Sequence, residues 1–201
     1  MLNPKISLAI PYHDSPKTAF YLSRLLNSLA DQSFKDYEIV LTKEGAFAEN
    51  HNAAIKKSKG EIVKLMQMDD YFHHELSLQK IVDAFTPETQ WLISGCMHTD
   101  GTKLFYPHFP EWSDDIYTGN NTLGSVSTLA MRKDKALLFE EPLSWVVDCD
   151  LYYRLYLQYG KPALLKDFNV VIAIREDSLS NTITDEAKHK EVAYLIKKYG
   201  K

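Results

Sequence analysis

Two adjacent carboxylates, Asp69 and Asp70, follow the short, mostly apolar run Ile62 to Met66. That run reads as a buried strand, and acids at the carboxyl end of a core strand sit where open α/β sheets bind ligands. Paired carboxylates also suit a hard divalent cation, which in turn can hold a diphosphate. Asp is equally a leading helix cap, so the same pair also fits the start of a helix near His74. The elements around the pair must decide between these readings.

Those elements alternate. Ile6 to Pro11 reads as a first strand ended by proline. Asp14 or Ser15 caps the next helix, with Pro16 at its first position and Leu22, Leu25, Leu26 and Leu29 on one face. Glu38 to Thr42 is a second strand, and Gly45 turns the chain into a short helix near residues 49–57. After Lys59-Gly60 comes the strand that carries the acids. Leu78, Ile81, Val82 and Phe85 mark a further helix, and Trp91 to Ser94 a fourth strand. Strands alternating with helices at this spacing imply βαβ units and a largely parallel sheet.

The pattern changes after residue 100. Tyr106 to Trp112 is rich in proline and aromatics, and Gly119-Asn120-Asn121 reads as loop. Val126 to Met131 reads as a strand, Trp145 to Tyr159 as a helix, and Ala163–Leu165 and Val170–Ile174 as two late strands. Val192, Leu195, Ile196 and Tyr199 form a stripe on a last helix that closes the core or meets a second copy of the chain as a homo-oligomer. The expectation is one α/β domain over residues 1–201. It comprises a Rossmann-like nucleotide-binding half to about residue 100, an irregular acceptor-side half to about 180, and a C-terminal helix.

Composition narrows the function classes. A formal net charge of -4 offers no basic surface for nucleic acid. No run reaches the ~18 apolar residues of a membrane span, and no N-terminal segment reads as a signal peptide. Cys96 and Cys149 lack metal-ligand spacing and read as reduced, buried thiols of a cytoplasmic protein.

Several segments, in order, resemble the family-2 glycosyltransferases, which have the GT-A fold. Ile6 to Pro11 looks like their opening strand, and Leu26 to Glu38, with Ser28, Gln32 and Asp36, like their first helix and the approach to the second strand. Met66-Gln67-Met68-Asp69-Asp70 is similar to their Asp-x-Asp-Asp motif, with Gln67 in place of the first Asp. Gly119-Asn120 through Ser127 and Met131-Arg132 resembles the acceptor-side segment. Asp148-Cys149-Asp150-Leu151, with Arg154 and Gly160, looks like their Glu-Asp helix start, with Val147 in place of Glu. Arg175 with Ser178-Leu179-Ser180 resembles their closing segment, where Glu176 and Asp177 replace a His that is sometimes a metal ligand.

The resemblance implies an inverting transfer from a nucleotide-diphosphate sugar donor to a saccharide or glycoconjugate acceptor. It also implies Mn²⁺ or Mg²⁺ as cofactor, and surface-polysaccharide or glycoconjugate synthesis at the cytoplasmic side of a membrane. Asp148 takes the place of the general base, with Asp150 as fallback; as Asp residues at a helix start, both also suit capping and the first helical turn. Asp69 and then Asp70 take the place of the metal ligands. Pro11, His13, Gln67, Met68 and Arg175 fall on the nucleotide side, as do Lys43 and Glu44, which stand where the family has an acidic pair whose first member contacts uracil. Asn52, which with Asn50 brackets His51, belongs to the same cleft or caps a helix. Tyr106, Trp112 and Trp145 either stack on an acceptor sugar or fill the core.

Two other classes compete. A nucleotidyltransferase on a similar sheet carries a Gly-rich basic loop after the first strand, whereas here that loop is Tyr12-His13-Asp14-Ser15-Pro16-Lys17. A non-catalytic binding module is the other, since Gln67, Lys43 and Val147 each replace an acid.

Overall fold

The computed structural model describes residues 3–176 and 178–200. The strands are β1 (Ile6–Pro11), β2 (Tyr37–Thr42), β3 (Ile62–Leu65), β4 (Tyr71–Phe72), β5 (Trp91–Thr99), β6 (Leu104–His108), β7 (Leu129–Arg132) and β8 (Ala163–Ala173). The helices are α1 (Thr18–Ala30), α2 (Phe47–Lys57), α3 (Ser77–Asp83), α4 (Val147–Tyr159), α5 (Leu179–Thr182) and α6 (Asp185–Tyr199). One continuous sheet runs β2-β1-β3-β7-β5-β8-β4, with β6 hydrogen-bonded to β5 off that path.

Strands β2, β1, β3, β5 and β8 run one way; β7, β4 and β6 run against them. The mostly parallel expectation therefore holds, with antiparallel β7 joining the parallel β2-β1-β3 group to the parallel β5-β8 pair. Because β1, β3 and β8 share a direction, their carboxyl ends lie along one edge, where such sheets bind ligands.

Strand periodicity divides the core into two layers. Ile6, Leu8 and Ile10 of β1 point to the face covered by Leu25 and Leu29 of α1 and by Leu78 and Ile81 of α3. Ala9 and, from β3, Val63 and Leu65 point to the other face, with Ala54 and Ile55 of α2, Leu151 and Leu155 of α4 and Leu195 of α6. Most of the stripe on α6 closes the core: Leu195 is buried, and Val192 and Tyr199 pack against the same cluster, whereas Ile196 is exposed.

Four sequence expectations change. Helix α1 begins at Thr18 after Lys17 with no side-chain cap, so neither Asp14 nor Ser15 caps it and Pro16 lies before it. The stretch after residue 104 contains β6, an edge strand that accommodates Pro107 because edges tolerate a missing N–H. The two late strands are one, β8, whose pairing with β5 shifts register at Ser94–Gly95–Cys96 and so hides its continuity. The strand expected from Val126 begins as a 3₁₀ turn, Val126–Thr128, capped by Ser125 Oγ, and only then becomes β7.

Candidate active site

A cleft of about 730 Å³ opens along the shared carboxyl edge. Pro11 and His13 at the end of β1, Gln67, Met68 and Asp69 after β3, and Ile172, Ala173 and Arg175 at the end of β8 line one side. Phe47, Asn50 and His51 of α2 close one end, and Asn121, Gly124, Trp145, Val147 and Asp148 face in from the acceptor-side half. The sheet thus gathers residues more than 100 positions apart.

Asp69 is held from two directions. Its carbonyl accepts from the Arg24 guanidinium of α1, which also lies 4.5 Å from the centre of the Tyr71 ring. Its carboxylate forms an ion pair with Arg175, Oδ2 lying 2.9 Å from Nε, and the Arg175 guanidinium sits 5.2 Å from the Tyr21 ring centre. An acidic and a basic group therefore meet on the cleft wall, the basic one carrying forked donors that match phosphate oxygens.

Asp70 turns the other way. It is 1% exposed, and its Oδ1 accepts from Ala173 N at 2.9 Å, tying the turn after β3 to β8. Burial, with the Asp69 charge beside it, pushes its carboxyl well above the usual range. Lys64 of β3, fully buried on the same layer as Ile62, has its amine pulled down by burial, opposed by Asp70. Its Nζ donates to the carbonyls of Ser127 and Leu65, and Ser127 Oγ accepts from Gln67 N at 2.8 Å. Asp70 and Lys64 thus brace the floor from behind, and Asp70 is corrected from metal ligand to support. The residue after a core strand can face either way, and here the backbone of β8 needed an acceptor.

That leaves one carboxylate of the pair facing the cleft, and among the described residues no group of three or more His, Cys, Asp or Glu is placed to hold an ion. A single carboxylate is nonetheless what Mg²⁺-type cations commonly use when substrate phosphates and water complete the shell. The donor set is compatible with a cation that arrives with a diphosphate, which Asp69 would be the residue to meet. Glu176 is exposed, and Asp177 lies outside the described residues.

Asp148 sits in the first turn of α4 and lines the cleft. Its Oδ1 accepts from Cys149 N at 2.8 Å and its Oδ2 from Asn121 Nδ2 at 2.7 Å. Burial raises its carboxyl to about 6, opposed by these hydrogen bonds. A half-buried carboxyl near neutrality is well matched to taking a proton at physiological pH.

Asp150 is corrected. It is 0% exposed and faces away from the cleft, accepting from Arg154 Nε at 2.6 Å, Lys198 Nζ at 2.9 Å and Tyr199 OH at 2.7 Å. Two residues apart on a helix point to different sides, so Asp148 and Asp150 cannot share one site. Asn52 is likewise structural: it exchanges two hydrogen bonds with the Phe139 backbone, at 3.0 and 2.7 Å. Lys43 and Glu44 do not line the cleft; they pair on the surface with Asp14 and Lys57. Trp112 packs 4.5 Å from Tyr156 and belongs to the core, whereas Trp145 lines the cleft.

Two residues gain weight that sequence gave them only by position. Asn50 lines the cleft while holding Glu44 N and Tyr12 O. His51 donates from Nδ1 to Phe47 O at 2.7 Å, stacks on the Phe47 ring at 4.0 Å, and is held neutral by burial, which pulls it down to about 4. Asn121 is the residue sequence reading missed; only its place in a Gly-Asn-Asn loop marked it.

The sequence matches no protein-family profile. It is 23% identical to the poly(ribitol-phosphate) beta-N-acetylglucosaminyltransferase TarS of Staphylococcus aureus, over 96% of this chain and 40% of that protein. The chain thus spans less than half the length of the curated relatives it matches. The crystal structure of residues 1–349 of S. aureus TarS in complex with UDP-GlcNAc superposes with a TM-score of 0.72, at 20% identity, covering 96% of this chain and 66% of that one. The mannosyltransferase PcManGT of Pyrobaculum calidifontis, in complex with GDP-Man and Mn²⁺, gives a TM-score of 0.64 at 12% identity, covering 89% and 59%. The resemblance read from the motifs thus extends to nearly the whole backbone: this chain has the GT-A glycosyltransferase fold and is similar in sequence to TarS.

Proposed function

We propose that this chain transfers a sugar from a nucleoside-diphosphate donor to an acceptor hydroxyl, with inversion, using Asp148 as base. The observation that carries the reading is the placement of Asp148: a half-buried carboxyl raised to about 6, held on both oxygens, in the same cleft as Asp69 and Arg175.

In the step envisaged, the acceptor oxygen attacks the anomeric carbon as the bond from that carbon to the diphosphate oxygen breaks. The acceptor proton passes to Asp148, and the electron pair leaves with the nucleoside diphosphate. Arg175 supplies donors to the charge that develops there. A cation on Asp69 would neutralise more of it. Pro11, His13, Gln67 and Met68 contribute to the nucleotide side, together with His51. The similarity to TarS makes UDP-GlcNAc the first donor to test and a poly(ribitol-phosphate) the first acceptor; the setting we propose is surface-polymer synthesis at the cytoplasmic face of a membrane. Among the described residues no helix is long and apolar enough to cross a membrane.

The test is thermal denaturation with UDP, GDP, CDP, dTDP and ADP, each with and without Mn²⁺. Ligand at ~100 times its dissociation constant adds about 2.7 kcal/mol, roughly 5–10 °C for a domain of this size. A shift from one nucleotide that requires Mn²⁺ supports the reading. No shift from any nucleotide overturns it.

A further inference from the structure

A second pocket, about 430 Å³, lies beyond Asn121 and is lined by His98, Tyr106, His108, Phe109, Glu111 and Thr122, with Asn121 and Gly124. Asn121 and Gly124 line the main cleft as well, so the two cavities meet at the residue that holds Asp148. Resting on the donor-cleft reading above, we infer that this pocket is the acceptor subsite and that it takes a pyranose ring rather than an open-chain polyol.

The wall is built for a flat apolar face. Tyr106 is 72% exposed and Phe109 48% exposed, an unusual pair of aromatics to leave in water. Phe109 is fixed by packing 4.6 Å from Phe168 of β8, and Tyr106 by its own carbonyl, which accepts from His98 Nδ1 at 2.7 Å. Tyr106 has a φ of 48°, the left-handed region that non-glycine residues rarely occupy. Such strain is retained where the surroundings impose a geometry, and it clusters at ligand-binding positions. An aromatic face carries negative charge density, which complements the polarised C–H bonds on one face of a pyranose. His98, Glu111 and Thr122 offer hydrogen-bonding groups for ring hydroxyls. An open-chain polyol has no such face to stack.

The floor connects this platform to the base. Gly124, at φ 97°, approaches His108 so closely that a Cβ there would lie 3.3 Å from the imidazole. Its carbonyl accepts from Asn121 Nδ2 at 3.0 Å and from Tyr152 OH at 3.1 Å. The same Asn121 amide reaches Asp148. A ring seated on Tyr106 and Phe109 thereby lies on the far side of Asn121, one residue from the group that would take the proton of its hydroxyl.

The experiment is binding by saturation-transfer NMR. The ring probes are methyl β-D-glucopyranoside, methyl α-D-mannopyranoside and methyl N-acetyl-β-D-glucosaminide, with ribitol as the open-chain probe. Wild type, Tyr106→Ala and Phe109→Ala are compared, and the UDP thermal shift is read in parallel. At least one pyranoside should bind wild type at least ten-fold tighter than ribitol, each substitution should weaken it five-fold or more, and the UDP shift should stay the same. Equal or better binding of ribitol, absence of pyranoside binding, or pyranoside binding unchanged in Tyr106→Ala would overturn the inference. Failure of every nucleotide to shift the melting temperature sinks the donor reading instead, and is read from a different signal.

Discussion

Asn121 Nδ2 donates to Asp148 Oδ2 at 2.7 Å, and the orientation of that amide is fixed, because Asn121 Oδ1 accepts from the backbone N–H of Leu123 at 3.1 Å and of Gly124 at 2.9 Å. The amide nitrogen can therefore only face the carboxylate. This hydrogen bond stabilises the ionised form of Asp148 and opposes the effect of burial. Asn121→Ala should move the acid limb of the pH–rate profile for kcat/KM above the value of about 6 expected for Asp148, and lower kcat while leaving UDP affinity within two-fold. A profile that stays in place would contradict this role.

Ionising Asp148 should cost stability. Its folded-state pKa is raised to about 6 from the ordinary aspartate value of about 3.9. The stability it contributes is thus fully present below about pH 4 and is lost as pH rises through 6. Asp148→Asn has no such loss. The difference in unfolding free energy between the variant and wild type should therefore shift toward the variant by on the order of 2 kcal/mol between pH 4 and pH 8. Any constant penalty from an amide facing the Asn121 amide cancels in that difference. Urea denaturation at both pH values measures it.

Asp150 and the C-terminal helix stand or fall together. Asp150→Ala would leave Arg154 and Lys198 without the buried carboxylate that joins α4 to α6. Removing one member of a buried charge network costs roughly 3 kcal/mol. Denaturant titration should show that loss, while transfer per folded molecule remains within a few-fold of wild type. A catalytic collapse in a fully folded Asp150→Ala protein would return it to the active site.

Asp69 and Asp70 should separate cleanly despite being neighbours. Asp69→Asn should abolish the Mn²⁺-dependent part of nucleotide binding, since Asp69 alone of the two faces the cleft. Asp70→Asn should preserve that dependence, because its carboxyl is turned to Ala173 N. Isothermal titration of UDP with and without Mn²⁺ checks both, and an Asp70→Asn protein that no longer responds to Mn²⁺ would refute the assignment.

Much of this was legible in the residues. β1 begins and ends where its apolar run and Pro11 mark it, and the helical spacing finds the buried Leu25 and Leu29, Leu78 and Ile81, and Leu195, although Ile196 of the last stripe is exposed. Strand and helix periods are local properties, so they survive reading one residue at a time. What was not legible depends on distant partners. Asp70 faces inward because β8 offers an N–H a hundred residues later, and Asn52 is consumed by the Phe139 backbone. Lys43 and Glu44 look poised at a strand end until Asp14 and Lys57 come into place beside them. The split of Asp148 from Asp150 was available in principle from helix geometry alone.

The measurement that bears most directly on the central claim sets chemistry against binding in one variant. UDP release from UDP-GlcNAc in the presence of acceptor, and UDP affinity by titration, are measured for wild type and Asp148→Asn. A general base contributes on the order of 10²–10⁴-fold to rate, so the variant should lose at least 100-fold in turnover while binding UDP within two-fold of wild type. Turnover retained in Asp148→Asn, with binding intact, would contradict the account.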